Sequence, residues 1–173
     1  MKNKYLLVIF LIFFTFCFII LFKGLKNSNT YQPEFNQNQV LSDFTSTEFF
    51  SDEKIKLSTI VTDEKYYLIN IWSSWCIPCR KEHKFLIKLK KQEKIKLIGI
   101  NYKDKFKNAK NFLNDFENPY QIIFKDKNGI VSIELGAYGV PETFLINKNF
   151  QILKKIIGPI NQKTYNEIIQ IIK

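Results

Sequence analysis

The sequence predicts an α/β domain, a central and partly parallel sheet covered by helices on both faces, preceded by one apolar helix. Three observations carry this reading. From Tyr67 onward, short strand patterns alternate with helical ones, a rhythm that puts helices on the connections between parallel strands. Towards the C-terminus, Thr143 to Asn147 and Ile152 to Ile157 are strand patterns joined only by a short turn at Lys148-Asn149, which predicts an antiparallel hairpin at one sheet edge. At the other end, Tyr5 to Phe22 carries no charge and lies between Lys2 and Lys4 before it and Lys23 and Lys26 after it.

The chain has 173 residues, room for one globular domain with a sizeable core behind the apolar segment. Its net charge of +10 comes from 26 basic residues against 16 acidic ones, and Arg80 is the single arginine. A lysine surface mixed with acids keeps a protein soluble and attracts anionic lipid, but it lacks the arginine fork that reads bases and phosphates. Nucleic acid is therefore excluded as a partner. Of the three cysteines, Cys17 falls in the apolar run. Cys76 and Cys79 remain in the globular part, to pair with each other or to act on something else.

In order along the chain, the apolar run as a helix covers about 27 Å, just enough to cross a bilayer core. A cleaved signal peptide is the rival, but its apolar stretch is usually shorter and ends in small residues, whereas this one ends Phe18-Ile19-Ile20-Leu21-Phe22. Thr15-Phe16 before Cys17 lacks the small residue of a lipoprotein cleavage site, so Cys17 reads as a lipid-facing or packing side chain. The amino terminus with Lys2 and Lys4 slightly outweighs Lys23 and Lys26, which leans towards an N-terminus in the cytoplasm. The predicted organisation is an anchor over 1–24, a polar linker over 25–39 and a folded domain over 40–173. Phe44 to Phe50 and Ile55 to Leu57 flank Ser51-Asp52-Glu53-Lys54 and predict an N-terminal hairpin.

Tyr67 to Trp72 has the β-branched and aromatic content of a buried strand. It runs into Ser74-Trp75-Cys76-Ile77-Pro78-Cys79-Arg80, where the spacing turns helical and continues to about Lys91. Further on come a strand at Ile95 to Asn101, a helix at Phe106 to Phe116 and a strand at Tyr120 to Phe124. Lys125 to Gly129 is a turn, Ile130 to Leu135 a helical turn, and Gly136-Ala137-Tyr138-Gly139 breaks the pattern. After the hairpin, a last helix from about Asn161 carries Tyr165, Ile168, Ile169 and Ile172 on one face.

Pro78 marks the first helical turn, because its missing N–H needs no partner there. Cys76 then sits at or just before a helix N-terminus, where unpaired N–H groups and the dipole favour an anion. The thiolate is such an anion and is the nucleophile of disulfide exchange. Dipole stabilisation of up to ~2 kcal/mol brings a thiol from about 8.5 towards about 7. Cys76 is the candidate attacker, and Cys79, one turn further in, the residue that closes the ring and releases the partner. Cys79, Glu82, Leu86 and Leu89 share one helix face, which puts Glu82 on the apolar side. One reading pairs it with Lys81 or Arg80; the other makes it a desolvated carboxyl that takes the proton Cys79 must lose.

These pieces resemble the thioredoxin superfamily. Asn70-Ile71-Trp72-Ser73-Ser74-Trp75-Cys76-Ile77-Pro78-Cys79, Gly99-Ile100-Asn101-Tyr102-Lys103-Asp104 and Tyr138-Gly139-Val140-Pro141-Glu142-Thr143-Phe144-Leu145-Ile146 are similar to the membrane-anchored thiol:disulfide proteins of cytochrome c maturation, the CcmG/DsbE family. The resemblance implies a thioredoxin-like fold with an N-terminal hairpin and a βα insertion between Tyr120 and Leu135. It implies that Pro141 is cis and faces Cys76, that Val140 offers a backbone edge to a substrate peptide beside Trp75, and that Glu82 and Glu142 are the acids of the site. Asn70 stands where thioredoxin has a buried aspartate, which moves proton handling to the glutamates. The implied reaction is reduction of the disulfide in the haem-attachment Cys-x-x-Cys-His segment of apocytochrome c, or in a maturation partner. A membrane electron donor of the CcdA/DsbD type would recharge the pair, without a cofactor. Such reduction makes sense in an oxidising compartment, so the domain is expected in the periplasm on a single-pass inner-membrane anchor.

Rival readings are a general periplasmic reductase of another substrate and a zinc or copper site on Cys76, Cys79 and His83. Zinc usually wants a fourth ligand, and His83 reads as an ordinary surface histidine. Haem attachment to this chain itself is excluded, because Arg80 follows Cys79 where histidine is required. A purely structural bridge is a poor reading, since so short a loop constrains the unfolded chain little.

Overall fold

The computed structural model describes residues 2–26, 39–62 and 64–173. Most of the expected linker, 27–38, lies outside them. The chain divides into an N-terminal unit, Met1–Glu34, and a second unit, Phe35–Lys173.

Within the first unit, α1 (Lys2–Lys26) is one continuous helix, long and apolar enough over Lys4–Leu25 to cross a membrane. The helix continues two residues past the anchor boundary expected at 24, since Gly24 alone does not stop a helix. Cys17 is a half-buried free cysteine.

The second unit is built on a seven-stranded sheet in the order β2-β1-β5-β4-β3-β6-β7. Its strands are β1 (Thr45–Glu48), β2 (Lys54–Lys56), β3 (Tyr66–Trp72), β4 (Ile95–Tyr102), β5 (Ile122–Asp126), β6 (Glu142–Asn147) and β7 (Ile152–Ile157). Central β3 is parallel to β4 and β4 to β5, while β6 lies antiparallel against β3. Every residue of β3 is buried, as expected of a strand covered on both faces. The sequence predicted two hairpins, one near the N-terminus and one at a sheet edge; the structure has both and places one at each edge. β6 and β7 form the C-terminal one. The β1–β2 hairpin joins the opposite edge through Thr47 opposite Lys125 and Glu48 opposite Phe124, a long-range pairing that leaves no periodic trace in the sequence.

Alternate residues of β3 feed two cores. Leu68 and Trp72 face α2 (Ile77–Lys90), α3 (Phe106–Phe116) and α5 (Gln162–Ile172), among Leu86, Leu89, Phe112, Leu113, Ile168 and Ile172. Tyr67, Ile69 and Ile71 face the other way, against Leu41, Phe44, Leu57 and Leu135. Leu135 lies just beyond the short helix α4 (Ile130–Glu134). The expected bounds of α3 match. The strand expected at Tyr120 to Phe124 begins two residues later, because Tyr120 leaves the ladder: its ring stacks on Trp72 at 5.6 Å. Gly99 lies beneath this stack, where a Cβ would stand 3.0 Å from both the Trp72 Nε1 and the Tyr120 ring.

Candidate active site

The end of β3 delivers the chain into the redox motif, and the loop after β4 holds it there. Ser74 is clamped on three sides: its N–H and Oγ donate to Asp104 at 2.6 and 2.9 Å, and its carbonyl accepts from Arg80 Nη2 at 2.9 Å. Asp104 is itself fixed by Asn101 Nδ2 and its neighbour Lys105 N–H. Ser73 Oγ donates to the Tyr102 carbonyl, and Trp75 Nε1 to the Lys103 carbonyl at 3.1 Å. Trp75 thus stands 55% exposed with its indole fixed from behind. Arg80 spreads its guanidinium over Phe112 and Phe116, 5.3 and 5.7 Å from the ring centres.

Cys76 is the N-cap of α2, in extended conformation, with Pro78 in the first turn. Cys76 and Cys79 are joined by a disulfide. The Cys79 N–H donates to Cys76 Sγ at 3.1 Å, so a helix N-terminal donor already points at the sulfur that would carry negative charge after reduction. Cys76 keeps 3% of its surface exposed and Cys79 2%, a limit on access that the sequence did not disclose.

Glu82 is fully buried, as the stripe required. Neither Lys81 nor Arg80 pairs with it. Its Oε1 accepts from Asn70 Nδ2 at 2.9 Å and its Oε2 from the Ile160 N–H at 2.8 Å. Asn70 also donates to Thr143 Oγ1 and accepts from the Tyr120 hydroxyl at 2.6 Å. Burial without a cation raises Glu82 from 4.5 to about 7, although the two hydrogen bonds pull the other way. Burial, with the Glu82 charge adding to it, pushes Tyr120 well above 10, so its hydroxyl stays a donor.

The Val140–Pro141 peptide is cis. Pro141 is buried and Val140 half-buried, and Val140 packs against both cores. Glu142 follows at the start of β6, and its Oε1 accepts from the Tyr138 and Gly139 N–H groups. Its Oε2 lies 3.3 Å from Lys155 Nζ and has no hydrogen-bond partner among the described residues. Glu142 is therefore engaged with its own loop.

His83 corrects the sequence reading: it is buried, 4% exposed, and not on the surface. Its Nε2 lies 3.1 Å from the Phe116 carbonyl and 2.8 Å from that of Glu117. Both are acceptors, so Nε2 carries the proton. The imidazole ties α2 to the end of α3, and that nitrogen is not turned to the cysteines. Burial lowers its proton affinity. Among the described residues no group of three or more His, Cys, Asp or Glu side chains gathers as a metal site. Sequence reasoning missed Tyr120, Thr143, Ile160 and Lys155. Thr143 stood within a quoted motif; the Ile160 backbone and Lys155 gave no signal.

Comparison with known proteins bears on this geometry. The Redoxin family model matches residues 35–169. The chain belongs to the Redoxin family. Within it, the chain is 34% identical to the thiol:disulfide interchange protein DsbE of Pasteurella multocida over 172 residues, covering 97% of this chain and 94% of that one. It is 45% identical to the DsbE protein of Vibrio cholerae over 100 residues, a stretch covering 58% of this chain and 54% of that protein's length. A crystal structure of a DsbE-type protein from Chlorobium tepidum superposes with a TM-score of 0.67 at 21% identity, covering 79% of this chain and 95% of that one. This shows the thioredoxin-like fold that the resemblance implied. This Redoxin protein is of the CcmG/DsbE type and is a thiol:disulfide oxidoreductase.

Proposed function

We propose that this protein is a reductant held on the inner membrane by α1, with its catalytic domain in the periplasm. Its target is the disulfide of the haem-attachment Cys-x-x-Cys-His segment in apocytochrome c, or that of a thiol protein of cytochrome c maturation. Cys76 as thiolate attacks one substrate sulfur and forms a mixed disulfide; the other substrate sulfur leaves as thiolate and takes a proton. Cys79 gives up its proton, attacks Cys76 Sγ and releases the second substrate thiol. Two electrons pass to the substrate and the pair ends as the disulfide. A membrane dithiol donor of the CcdA/DsbD type returns the electrons.

The observation that carries this reading is the disulfide at the N-cap of α2, with the Cys79 N–H on Cys76 Sγ. Glu82 supplies the proton acceptor: it lies one helical turn from Cys79, and its value of about 7 lets it change charge near neutral pH. Trp75, Val140 and Pro141 form the receiving edge. Among the described residues nothing takes up the Val140 N–H or C=O, which leaves that backbone free for an extended peptide. The small exposure of Cys76 favours partners laid down along such an edge over bulk disulfides.

The test is substrate trapping in cells. Cys79→Ser is expected to accumulate a mixed disulfide, released by dithiothreitol, with a protein carrying Cys-x-x-Cys-His or with its maturation partner. Cys76→Ser is expected to trap nothing and to abolish turnover. Equal activity in both variants overturns the assigned roles, and trapped partners of another class overturn the substrate assignment alone.

A further inference from the structure

Lys155 is an unusual lysine. It sits on β7 opposite Phe144, and its side chain is only 6% exposed, although long ammonium side chains ordinarily keep their heads in water. Its Nζ donates to the Gly136 carbonyl at 2.7 Å and lies 3.3 Å from Glu142 Oε2. It also stands over two aromatic rings, 4.3 Å from the centre of Tyr138 and 5.3 Å from that of Phe144. Glu142, at 2% side-chain exposure, takes the Tyr138 and Gly139 N–H groups on its other oxygen. One buried ion pair thus grips the segment 136–139 from both polarities: the cation holds a carbonyl and a ring, and the anion holds two N–H groups.

That segment leads directly into the cis Val140–Pro141 peptide and carries Tyr138, 69% exposed. The Gly136 and Ala137 N–H groups donate to the Ile133 and Ser132 carbonyls at 2.8 and 2.9 Å, which holds the start of the segment, whereas the N–H groups of Tyr138 and Gly139 are held by Glu142. Among the described residues Oε2 has no hydrogen-bond donor and the Lys155 ammonium is the cation beside it, so loss of that cation would strand a buried charge. We propose that Lys155 is a positioning residue for substrate capture: through Glu142 and Tyr138 it fixes the loop that presents Val140 and the Tyr138 ring to an incoming extended peptide. The inference rests on the proposed function, in that it takes this loop as the receiving edge. It concerns peptide binding and leaves the sulfur chemistry to Cys76 and Cys79.

The experiment compares the full chain in detergent with Lys155→Met, Lys155→Arg and the double variant Lys155→Met/Glu142→Gln. The probe is an oxidised synthetic peptide containing Cys-x-x-Cys-His, and the reduced proteins are titrated with iodoacetamide in parallel. The expected result for Lys155→Met is a KM for the peptide raised about tenfold or more, the order of loss that small misplacements of a binding group produce. Cys76 alkylation should keep its parent rate, and Lys155→Arg should recover part of the affinity. The double variant buries no unpaired charge, so it serves if the single variant fails to fold, and it should show the same KM defect. An unchanged KM in a folded Lys155→Met or double variant overturns the proposal, as does a KM defect matched by an equal loss of Cys76 alkylation. If the parent protein itself does not reduce the peptide, the substrate reading fails, and oxidised insulin chains then serve as the extended substrate for the same comparison.

Discussion

Replacing Glu82 by glutamine tests whether a carboxyl in this position changes charge near neutral pH. In the native fold its value is raised from 4.5 to about 7 by burial. Between those limits the folded protein keeps the proton and the unfolded chain has released it. The folded state then binds more protons, and stability falls as pH rises. The contribution is fully present below about 4.5 and lost above about 7, and the displacement amounts to about 3 kcal/mol. Glutamine has a cost of its own. Both carboxyl oxygens accept hydrogen bonds, from Asn70 Nδ2 and the Ile160 N–H, whereas an amide offers one oxygen and turns its NH2 towards a donor. That mismatch costs about 1–3 kcal/mol at any pH. Glu82→Gln is therefore expected to be less stable than the parent at pH 4.5 and to match or exceed it above pH 7.5. Urea unfolding of the full chain in detergent measures this, read as the difference between the two proteins at each pH. The difference cancels His83, whose lowered proton affinity makes both proteins lose stability as pH falls below its ordinary range. A difference that stays constant from pH 4.5 to 8.5 refutes the reasoning. A charged Glu82 also opposes a thiolate on its own helix, so the variant should be the more oxidising couple above pH 7, at about 30 mV for each 1.4 kcal/mol.

Gly99→Ala should destabilise the domain by about 1–3 kcal/mol, because its Cβ would meet the Trp72–Tyr120 stack at 3.0 Å; thermal unfolding with tryptophan fluorescence measures it, and a neutral result would mean the stack can shift without cost. Asp104→Ala removes the acceptor of the Ser74 N–H and Oγ and should slow disulfide reduction about tenfold or more by loosening the approach to Cys76. Steady-state kinetics decide it, and parent rates would show that Arg80 alone holds Ser74.

The parts of the site legible in the sequence are those set by local periodicity. Cys76 at a helix start, Pro78 in the first turn and Glu82 on the buried face follow from residue type and a 3–4 spacing, and α3 follows from its amphipathic stripe. What was not legible depends on partners distant in the chain. His83 reads as a surface residue until Phe116 and Glu117 arrive from the end of α3. Tyr120 has strand-like composition, yet its hydroxyl is spent on Asn70 and its ring on Trp72, so β5 starts later. Lys155 stands beside Lys154 in an edge hairpin, where lysine ordinarily means solvent; its side chain is buried through its contacts with Gly136, Tyr138 and Glu142.

The two glutamates that the family resemblance groups together are separated by their surroundings. Among the described residues Glu82 meets neutral donors, an amide and a backbone N–H, and burial, the largest influence, raises its proton affinity. Glu142 meets an ammonium and two backbone N–H groups, and each of those contacts also fixes the loop before Pro141. The contacts of Glu142 are to the loop proposed to receive substrate, whereas those of Glu82 belong to a network through Asn70 to Thr143 and Tyr120. The proposal therefore gives proton transfer during the attack of Cys79 to Glu82, and the geometry of capture to Glu142 with Lys155. The two assignments separate experimentally: Glu82→Gln should change the pH profile of turnover at unchanged peptide KM, and Glu142→Gln should change KM at an unchanged profile. Reversal of that pattern would exchange the two roles.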